Sequence, residues 1–311
     1  MRQRIVFLFG AGASKGAGHT LPFPPPQGLD VYDKLAREFP SEWGSGSRLG
    51  RYAAGLRQDF EGTMFKEVCT WEASLSVLEW QRTMALFFSR FVLDSTSRDL
   101  YSRLLLALQA SGRIHDAVFA SLNYDYLLEQ AANRIGLGVD FFGKEQRQNN
   151  IVVFKLHGSC TFVTPDISGS RHQLTNPNSA LGCGMEWLPP DNVESALVSR
   201  FSDPRTSHYP VVSLYSLGKN SLVGGTQVQE IRNAWTRCMS NAAVVAIVGV
   251  RPSSEDGHVW KPISSTSAKL LYIGSQKDFH KWKSANASFE IIGTAFEDGF
   301  EALLEHVLHT Y

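Results

Sequence analysis

The sequence predicts an α/β fold built on a doubly wound parallel β-sheet, and two features of its 311 residues carry this prediction. The first is a set of short, mostly continuous apolar runs, the pattern of strands that are covered on both faces. The second is the presence of helix-like stretches between the runs, because strands that alternate with helices form parallel sheets. The apolar runs are residues 5–9, 117–122, 151–156, 244–250, 270–273 and 289–292.

Two helices of the predicted fold carry their own boundary signals. Ser95 and Thr96 are expected to cap a helix, because short hydroxyl side chains accept hydrogen bonds from free backbone N–H groups. Tyr126 leads a second helix, which is expected to end at Gly136. The apolar face of the first helix consists of Leu100, Leu104, Leu105 and Leu108.

The chain is expected to form one domain over residues 1–311, with two segments inserted into the strand–helix alternation. Residues 35–93 show only helical periodicity, which predicts a helical insertion. Residues 160–225 are rich in Pro, Gly, Asn and Ser, and hold few periodic runs beyond Val193–Phe201 and residues 211–214. This composition predicts a smaller, loop-rich lobe or flap.

Charge and cysteine content argue against several classes of protein. The 30 basic and 30 acidic side chains cancel, so nucleic acid is not an expected direct partner. The four cysteines form no C-x-x-C pair, which predicts reduced thiols in a cytoplasm. Residues 5–9 run into glycines rather than a cleavage site, and no stretch approaches the roughly 20 apolar residues of a membrane span. The sequence therefore predicts a chain that is neither secreted nor embedded in a membrane.

The first apolar run enters a glycine-rich turn that favours nucleotide binding. Gly10, Gly12, Gly16 and Gly18 leave backbone N–H groups open to a phosphate, and a helix beginning there adds its positive dipole end. The turn is not a Walker A loop, because Lys15 precedes a glycine instead of following one. It also departs from the dehydrogenase pattern G-x-G-x-x-G. Glycines of this kind also make tight strand-to-helix turns without a ligand, but their place after the first strand favours a nucleotide.

Polar side chains follow two later strands of the predicted sheet. Asn123 and Asp125 come after the run 117–122, and His157 follows the run 151–156. Ligands of doubly wound sheets bind at the carboxyl ends of strands, so we expect these side chains to meet the glycine turn in one crevice. An amide can orient a ribose hydroxyl or a water, a carboxylate can bond a carboxamide, and an imidazole can act as general base. Taken singly, Asn123 and Asp125 are also compatible with helix caps, and His157 with a turn residue.

Together these motifs resemble the sirtuin superfamily, in particular the bacterial sirtuin-like domains associated with antiphage defence. The turn from Gly10 to Ser14 resembles the sirtuin G-A-G-x-S turn. The segment from Asn123 to Asp125 is similar to the sirtuin N-x-D motif, and the residues around His157 are similar to the segment that carries the catalytic histidine.

Later residues extend the resemblance over nearly the whole chain. Gly249, followed by Asp256 and His258, and then Gly274 are similar to the late strands that carry the adenosine half of NAD in these domains.

Two features depart from the deacetylating sirtuins. Leu122 stands where those enzymes carry Gln before the N-x-D motif, and their D-F-R stretch does not follow the glycine turn. The paired C-x-x-C motifs that hold their structural zinc are also missing. The cysteines of this chain are Cys69, Cys160, Cys183 and Cys238.

The resemblance implies a Rossmann-like domain, lacking zinc, that cleaves NAD to ADP-ribose and nicotinamide without a metal, as a regulated effector of bacterial antiviral defence. It implies that Asn123, Asp125 and His157 are catalytic, with His157 as general base. Two alternatives stay open: NAD-dependent protein deacylation or ADP-ribosyl transfer by the same fold, and a non-catalytic NAD or ADP-ribose sensor that docks on a partner. The residues implied to bind NAD are Gly10, Ala11, Gly12, Ser14, Asn123, Asp125, Gly249 and Gly274.

The resemblance also implies partners. Related single-domain members pair with HerA-like ring ATPases or with short Argonaute proteins, and we expect a homo-oligomer and a ring ATPase partner here. The segment 35–93, with Trp71, Trp80 and the pair Phe87-Phe88, is the expected contact surface, because aromatic side chains are favoured interface anchors. The alternative is that these aromatic side chains pack inward on the sheet.

Overall fold

The computed structural model describes residues 4–28, 30–64, 66, 74–95, 99–144, 149–165, 184–202, 208–213, 224–277, 279 and 289–309. Within these residues the strands are β1 (Arg4–Phe9), β2 (Thr20–Leu21), β3 (Val92–Leu93), β4 (Ala117–Ser121), β5 (Gly138–Asp140), β6 (Asn150–Lys155), β7 (Gly158–Val163), β8 (Glu186–Trp187), β9 (Pro210–Val212), β10 (Ala242–Val248), β11 (Lys269–Ile273) and β12 (Phe289–Gly293). The helices are α1 (Ala11–Lys15), α2 (Asp30–Glu38), α3 (Pro40–Trp43), α4 (Ala53–Gln58), α5 (Phe60–Thr63), α6 (Ser74–Phe88), α7 (Leu100–Ala110), α8 (Leu127–Arg134), α9 (Val193–Phe201), α10 (Gly225–Met239), α11 (Gly257–Ser265) and α12 (Phe296–His309). Short 3-10 turns lie at Gly50–Tyr52, Pro190–Asn192 and Ser254–Asp256.

A seven-stranded parallel sheet with flanking helices forms the centre of the fold, which confirms the predicted α/β, Rossmann-like class. Its strand order is β12-β11-β10-β1-β4-β6-β5, and every pairing in it is parallel. Each of the six predicted apolar runs forms one of these strands. The seventh, β5, has only three residues and lies at the sheet edge, so its apolar signal is too short to identify it from sequence.

The strand order places a crevice beside β1. From β1 the chain adds β4 and β6 on one side, then returns to add β10, β11 and β12 on the other side. The loops that leave β1 and β10 therefore diverge at the carboxyl ends of two neighbouring strands. In open α/β sheets, ligands bind at such a reversal of strand order.

The central strands are held by a continuous apolar core. Phe7, Phe9 and Phe119 are fully buried, and the rings of Phe7 and Phe119 stack with centroids 5.2 Å apart. Residues in register on β1 and β4 place these rings on the same face of the sheet. Packing in this core fixes where each strand ends along the sheet. It therefore also fixes the positions of the polar residues that follow the strands.

Helix α7 begins later than the sequence predicts. Asp99 caps it, and its carboxylate accepts hydrogen bonds from the backbone N–H of Ser102 at 2.8 Å and from the Ser102 hydroxyl at 2.7 Å. Ser95 lies four residues too early to cap this helix, and Thr96 lies outside the described residues. The apolar face is as predicted, since its four leucines are buried. Helix α8 also follows its prediction, with Tyr126 at its N-cap and Gly136 just beyond its end.

The described part of the helical insertion contains α2 to α6, and its aromatic side chains point inward. Trp80, Phe87 and Phe88 are 3%, 0% and 7% exposed, so the expectation that they form a contact surface is wrong. Trp80 packs 6.5 Å from the ring of Trp43, and Phe88 packs 5.6 Å from Tyr124 next to the predicted site. Burying these rings removes large apolar areas from water and so stabilises the fold. Rings exposed in a contact patch would leave that apolar area in water. Trp71 lies outside the described residues.

The segment predicted as a loop-rich lobe contains more regular structure than its composition suggests. Strand β7 is fully buried, and it pairs antiparallel with β8 and β9. Helix α9 spans the predicted run Val193–Phe201. Residues 166–183, 203–207 and 214–223 of this segment lie outside the described residues, and its status as a separate lobe stays a prediction. Among the described helices, none has both the length and the apolar character to cross a bilayer.

Candidate active site

A cavity of about 730 Å³ lies at the carboxyl edge of the parallel sheet, where the strand order reverses. Its volume is in the range of small-molecule binding sites, about 300–1,000 Å³. The loops after β1, β4, β6 and β10 all contribute to its wall. The predicted residues that line it are Gly10, Ala11, Asn123, Asp125, His157 and Gly249.

The floor of the cavity is a close contact between the loops after β1 and β10. The backbone N–H of Gly12 donates to the carbonyl of Gly249 at 3.0 Å, and the N–H of Gly10 donates to Val248 at 2.9 Å. A Cβ on Gly12 would lie 2.8 Å from the Cα of Gly249. These glycines therefore bring two backbones together beneath the ligand space. Lys15 and Arg251 also line the cavity, together with acidic side chains that include Asp59 and Glu255.

Asn123 is held at the end of β4 by the glycine turn. Its Nδ2 donates to the carbonyl of Gly10 at 2.9 Å and to the Ser14 hydroxyl at 2.8 Å. The Ser14 hydroxyl also lies 3.3 Å from the Tyr101 hydroxyl, so Ser14 supports Asn123 from behind the cavity wall. An amide nitrogen has two protons, and both are used here. The side-chain carbonyl of Asn123 is therefore the group that it can offer a ligand.

Asp125 belongs to a buried cluster of two carboxyl groups and one ammonium. The Lys155 ammonium donates to the backbone carbonyl of Asp125 at 2.5 Å and lies 3.2 Å from the Glu129 carboxylate. Burial raises the pKa of Asp125, while Lys155 and the Ser14 hydroxyl act in the opposite direction. Burial also raises the pKa of Glu129, again opposed by Lys155. Two carboxyl groups thus share one positive charge beneath the site.

We expect Glu129→Gln to change how stability depends on pH. A carboxyl group whose pKa is higher in the folded state stabilises the protein below its unfolded pKa, and that contribution is lost as pH rises through the folded pKa. Removing the Glu129 titration should therefore reduce the loss of stability as pH rises above about 4, the usual pKa of an unfolded glutamate. Urea unfolding of both proteins across this range measures the effect. An equally steep pH dependence in the variant contradicts the prediction.

His157 lies between β6 and β7 and is only 4% exposed. Its Nε2 is 3.1 Å from the Asp256 carboxylate and 3.2 Å from Nε2 of His258. Asp256 comes directly before α11, and His258 is the second residue of that helix, which follows β10. The resemblance had grouped them with the adenosine half of NAD, whereas the structure brings both to His157. A short 3-10 turn at Ser254–Asp256, capped by the Ser253 hydroxyl, leads into this segment.

Arg232 closes the side of this cluster away from the cavity. It is 4% exposed, and its guanidinium donates to the carbonyl of Leu156 at 2.9 Å and lies 3.3 Å from the Ser213 hydroxyl. Burial lowers the pKa of Arg232 to about 10, and the charge of Asp256 opposes this shift. Arg232 therefore fixes the chain just before His157 and supplies positive charge near Asp256.

Three predicted binding residues do not line the cavity. Gly12 and Ser14 lie behind its wall and act through Gly249 and Asn123. Gly274 lies at the end of β11, where its N–H donates to Gly293 at 3.0 Å.

Sequence reasoning did not single out Arg251, and it grouped Asp256 and His258 with the adenosine half of NAD rather than with His157. The available signal was their position after β10, the strand that borders β1 at the reversal of strand order.

The described cysteines, Cys160 and Cys238, are both buried, and Cys69 and Cys183 lie outside the described residues.

Comparisons with known proteins give only distant similarity. No protein-family model matches the chain, and no curated protein matches it. Among solved structures, it is similar to a Sir2 protein in complex with the inhibitor EX-527, 2'-O-acetyl-ADP-ribose and a deacetylated p53 peptide, with a TM-score of 0.46 and 14% identity. It is also similar to a sirtuin solved for the structural basis of sirtuin substrate affinity, with a TM-score of 0.46 and 13% identity. Both alignments cover 98% of this chain and 93% of the other.

Proposed function

We propose that this protein is an NAD glycohydrolase that cleaves the bond between nicotinamide and ribose. The observation that carries the proposal is the meeting of Asn123, Asp125 and His157 in one cavity with the glycine turn. This cavity lies where the strand order reverses, the place at which Rossmann-like sheets bind nucleotides.

The groups that line the cavity suit different parts of NAD. The glycine floor admits a pyrophosphate close to the backbone, and Lys15 and Arg251 balance its negative charge. Asn123, which bonds Gly10 of the glycine turn, and the nearby Asp125 offer an amide carbonyl and a buried carboxyl group that can bond ribose hydroxyls and the nicotinamide carboxamide.

The proposed reaction consumes one water. The bond between ribose C1' and the nicotinamide nitrogen breaks with its electrons going to nicotinamide, which leaves an oxocarbenium-like ribose. His157 accepts a proton from the attacking water, whose oxygen bonds to C1'. The Asp256 carboxylate, 3.1 Å from Nε2 of His157, stabilises the imidazolium that forms when Nε2 takes this proton. The products are ADP-ribose, nicotinamide and a proton released to solvent.

Nicotinamide release by the purified full-length chain tests the proposal. Incubation with NAD should give equal amounts of nicotinamide and ADP-ribose, and an exposed His115→Ala variant should do the same because His115 lies outside the site. Binding of NAD without release of nicotinamide would instead indicate a sensor. Release that depends on an added acetyl-lysine peptide or a protein acceptor would indicate deacylation or ADP-ribosyl transfer.

We also propose that the activity is a controlled effector step in cytoplasmic antiviral defence, because unrestrained cleavage depletes the NAD of the host cell. Control would come from a homo-oligomer or from a HerA-like ring ATPase, with a short Argonaute as the second choice. The buried aromatic residues of α6 do not supply the contact. Light scattering of the chain alone and with such a partner tests this; a monomer that ignores the partner and cleaves NAD freely contradicts it.

A further inference from the structure

The cluster of His157, Asp256 and His258 has the chemistry of a metal site. We propose that these side chains bind one divalent ion of the zinc class, and that the bound ion holds His157 out of catalysis. The second half rests on the proposed NAD cleavage, whereas the binding site does not. The expectation of no metal considered only sets of cysteines, and so did not weigh these three side chains as ligands.

The distances within the cluster suit one ion. Metal bonds of about 2.0–2.1 Å to nitrogen and oxygen put neighbouring ligand atoms of a tetrahedral site about 3.3 Å apart. Here Nε2 of His157 is 3.2 Å from Nε2 of His258 and 3.1 Å from the Asp256 carboxylate. One ligand atom from each of the three residues lies within 4.8 Å of the others. Binding one ion would therefore draw together ligand atoms that already lie at most 4.8 Å apart.

The ligand types select the class of ion. Two imidazoles and one carboxylate suit Zn²⁺ and its transition-metal neighbours, whereas Mg²⁺ and Ca²⁺ prefer sets of oxygen ligands. Three protein ligands leave a fourth position for water. His157 and Asp256 also line the cavity of the proposed substrate, so the ion would lie at its wall.

Neighbouring charge determines how firmly the ion is held. The buried guanidinium of Arg232 interacts with Asp256, and its positive charge opposes a second cation. A site with three ligands and a nearby arginine should exchange its ion with solution, unlike a structural zinc held by four cysteines. We therefore expect chelators to remove the ion without unfolding the chain.

Metal binding and proton acceptance use the same atom of His157. The lone pair on Nε2 that would bond the ion is the one that would take a proton from the attacking water. A bound ion therefore blocks the general base, and NAD cleavage resumes when the ion leaves. This is a metal-dependent off state built into the site.

Binding is tested first, without NAD. The chelator-treated full-length chain is titrated with Zn²⁺ and separately with Mg²⁺ by calorimetry, alongside His258→Ala and the control His115→Ala. We expect one Zn²⁺ per chain in the wild type and in His115→Ala, no Mg²⁺ binding, and affinity at least about 10-fold weaker in His258→Ala. Cobalt added in place of zinc should give the visible absorption of a tetrahedral site, lost in His258→Ala. Thermal melting of each variant checks that it is folded.

Two results overturn the site: no Zn²⁺ binding by the wild type, or equal Zn²⁺ affinity in folded His258→Ala. Inhibition is then tested by nicotinamide release with and without one equivalent of Zn²⁺. Equal rates with the ion bound overturn the off state and leave the site standing. A chain that binds Zn²⁺ but never releases nicotinamide contradicts the proposed function and the off state that rests on it, so the separate failures are distinguishable.

Discussion

His157→Ala should lower the rate of nicotinamide release by about 10²- to 10⁴-fold, the usual loss when a general base is removed. The imidazole is the only group of the predicted catalytic set that accepts protons readily near neutral pH. The measurement is nicotinamide release at saturating NAD by wild type and variant. His115→Ala serves as the matched control, because His115 is exposed and outside the cavity. Near-full activity of folded His157→Ala would show that the site is assigned wrongly.

Asn123→Ala should cause a comparable loss of activity, with a larger effect on stability than its place at a strand end first suggests. Asn123 is 8% exposed and donates to both Gly10 and Ser14. Its removal leaves two buried acceptors without this donor, at a cost of about 1–3 kcal/mol. Urea unfolding separates this cost from the loss of catalysis.

Gly249→Ala is expected to destabilise the protein by about 4 kcal/mol or more, at the upper end of single substitutions. Gly249 has φ of 63°, which costs an L-residue about 1–2 kcal/mol by itself. An added Cβ would also lie 2.2 Å from the backbone nitrogen of Ala13, an atom that cannot move without opening the floor of the site. Urea unfolding measures the difference.

Gly136→Ala is the matched control for this substitution. Gly136 has φ of 77°, but a Cβ there meets no atom within 4 Å. It should therefore show only the conformational cost, about 1–2 kcal/mol. Equal losses in the two variants would contradict the conclusion that close backbone approach at the crevice requires Gly249.

Apolar patterns along the chain were enough to identify six of the seven strands of the parallel sheet and where those strands end. Continuous apolar runs can be buried only between two layers, so they identified the parallel strands without knowledge of their neighbours. Polar residues directly after such runs lie at strand ends, so Asn123, Asp125 and His157 could be placed at one edge. The glycine turn after β1 was visible for the same reason.

Which side chains meet, and which are buried, depends on contacts between distant segments of the folded chain. His157 and His258 are 101 residues apart, and their contact depends on how the chain folds back after β10. Helical spacing identified the apolar residues of α6, but a period describes a face without naming what covers it. The packing of Trp80 and Phe88 against other rings settled that they point inward. The local pattern shows which residues share one face of a helix or strand. Which faces are buried, and which side chains come together, depends on contacts between distant segments, and a single sequence does not display those contacts.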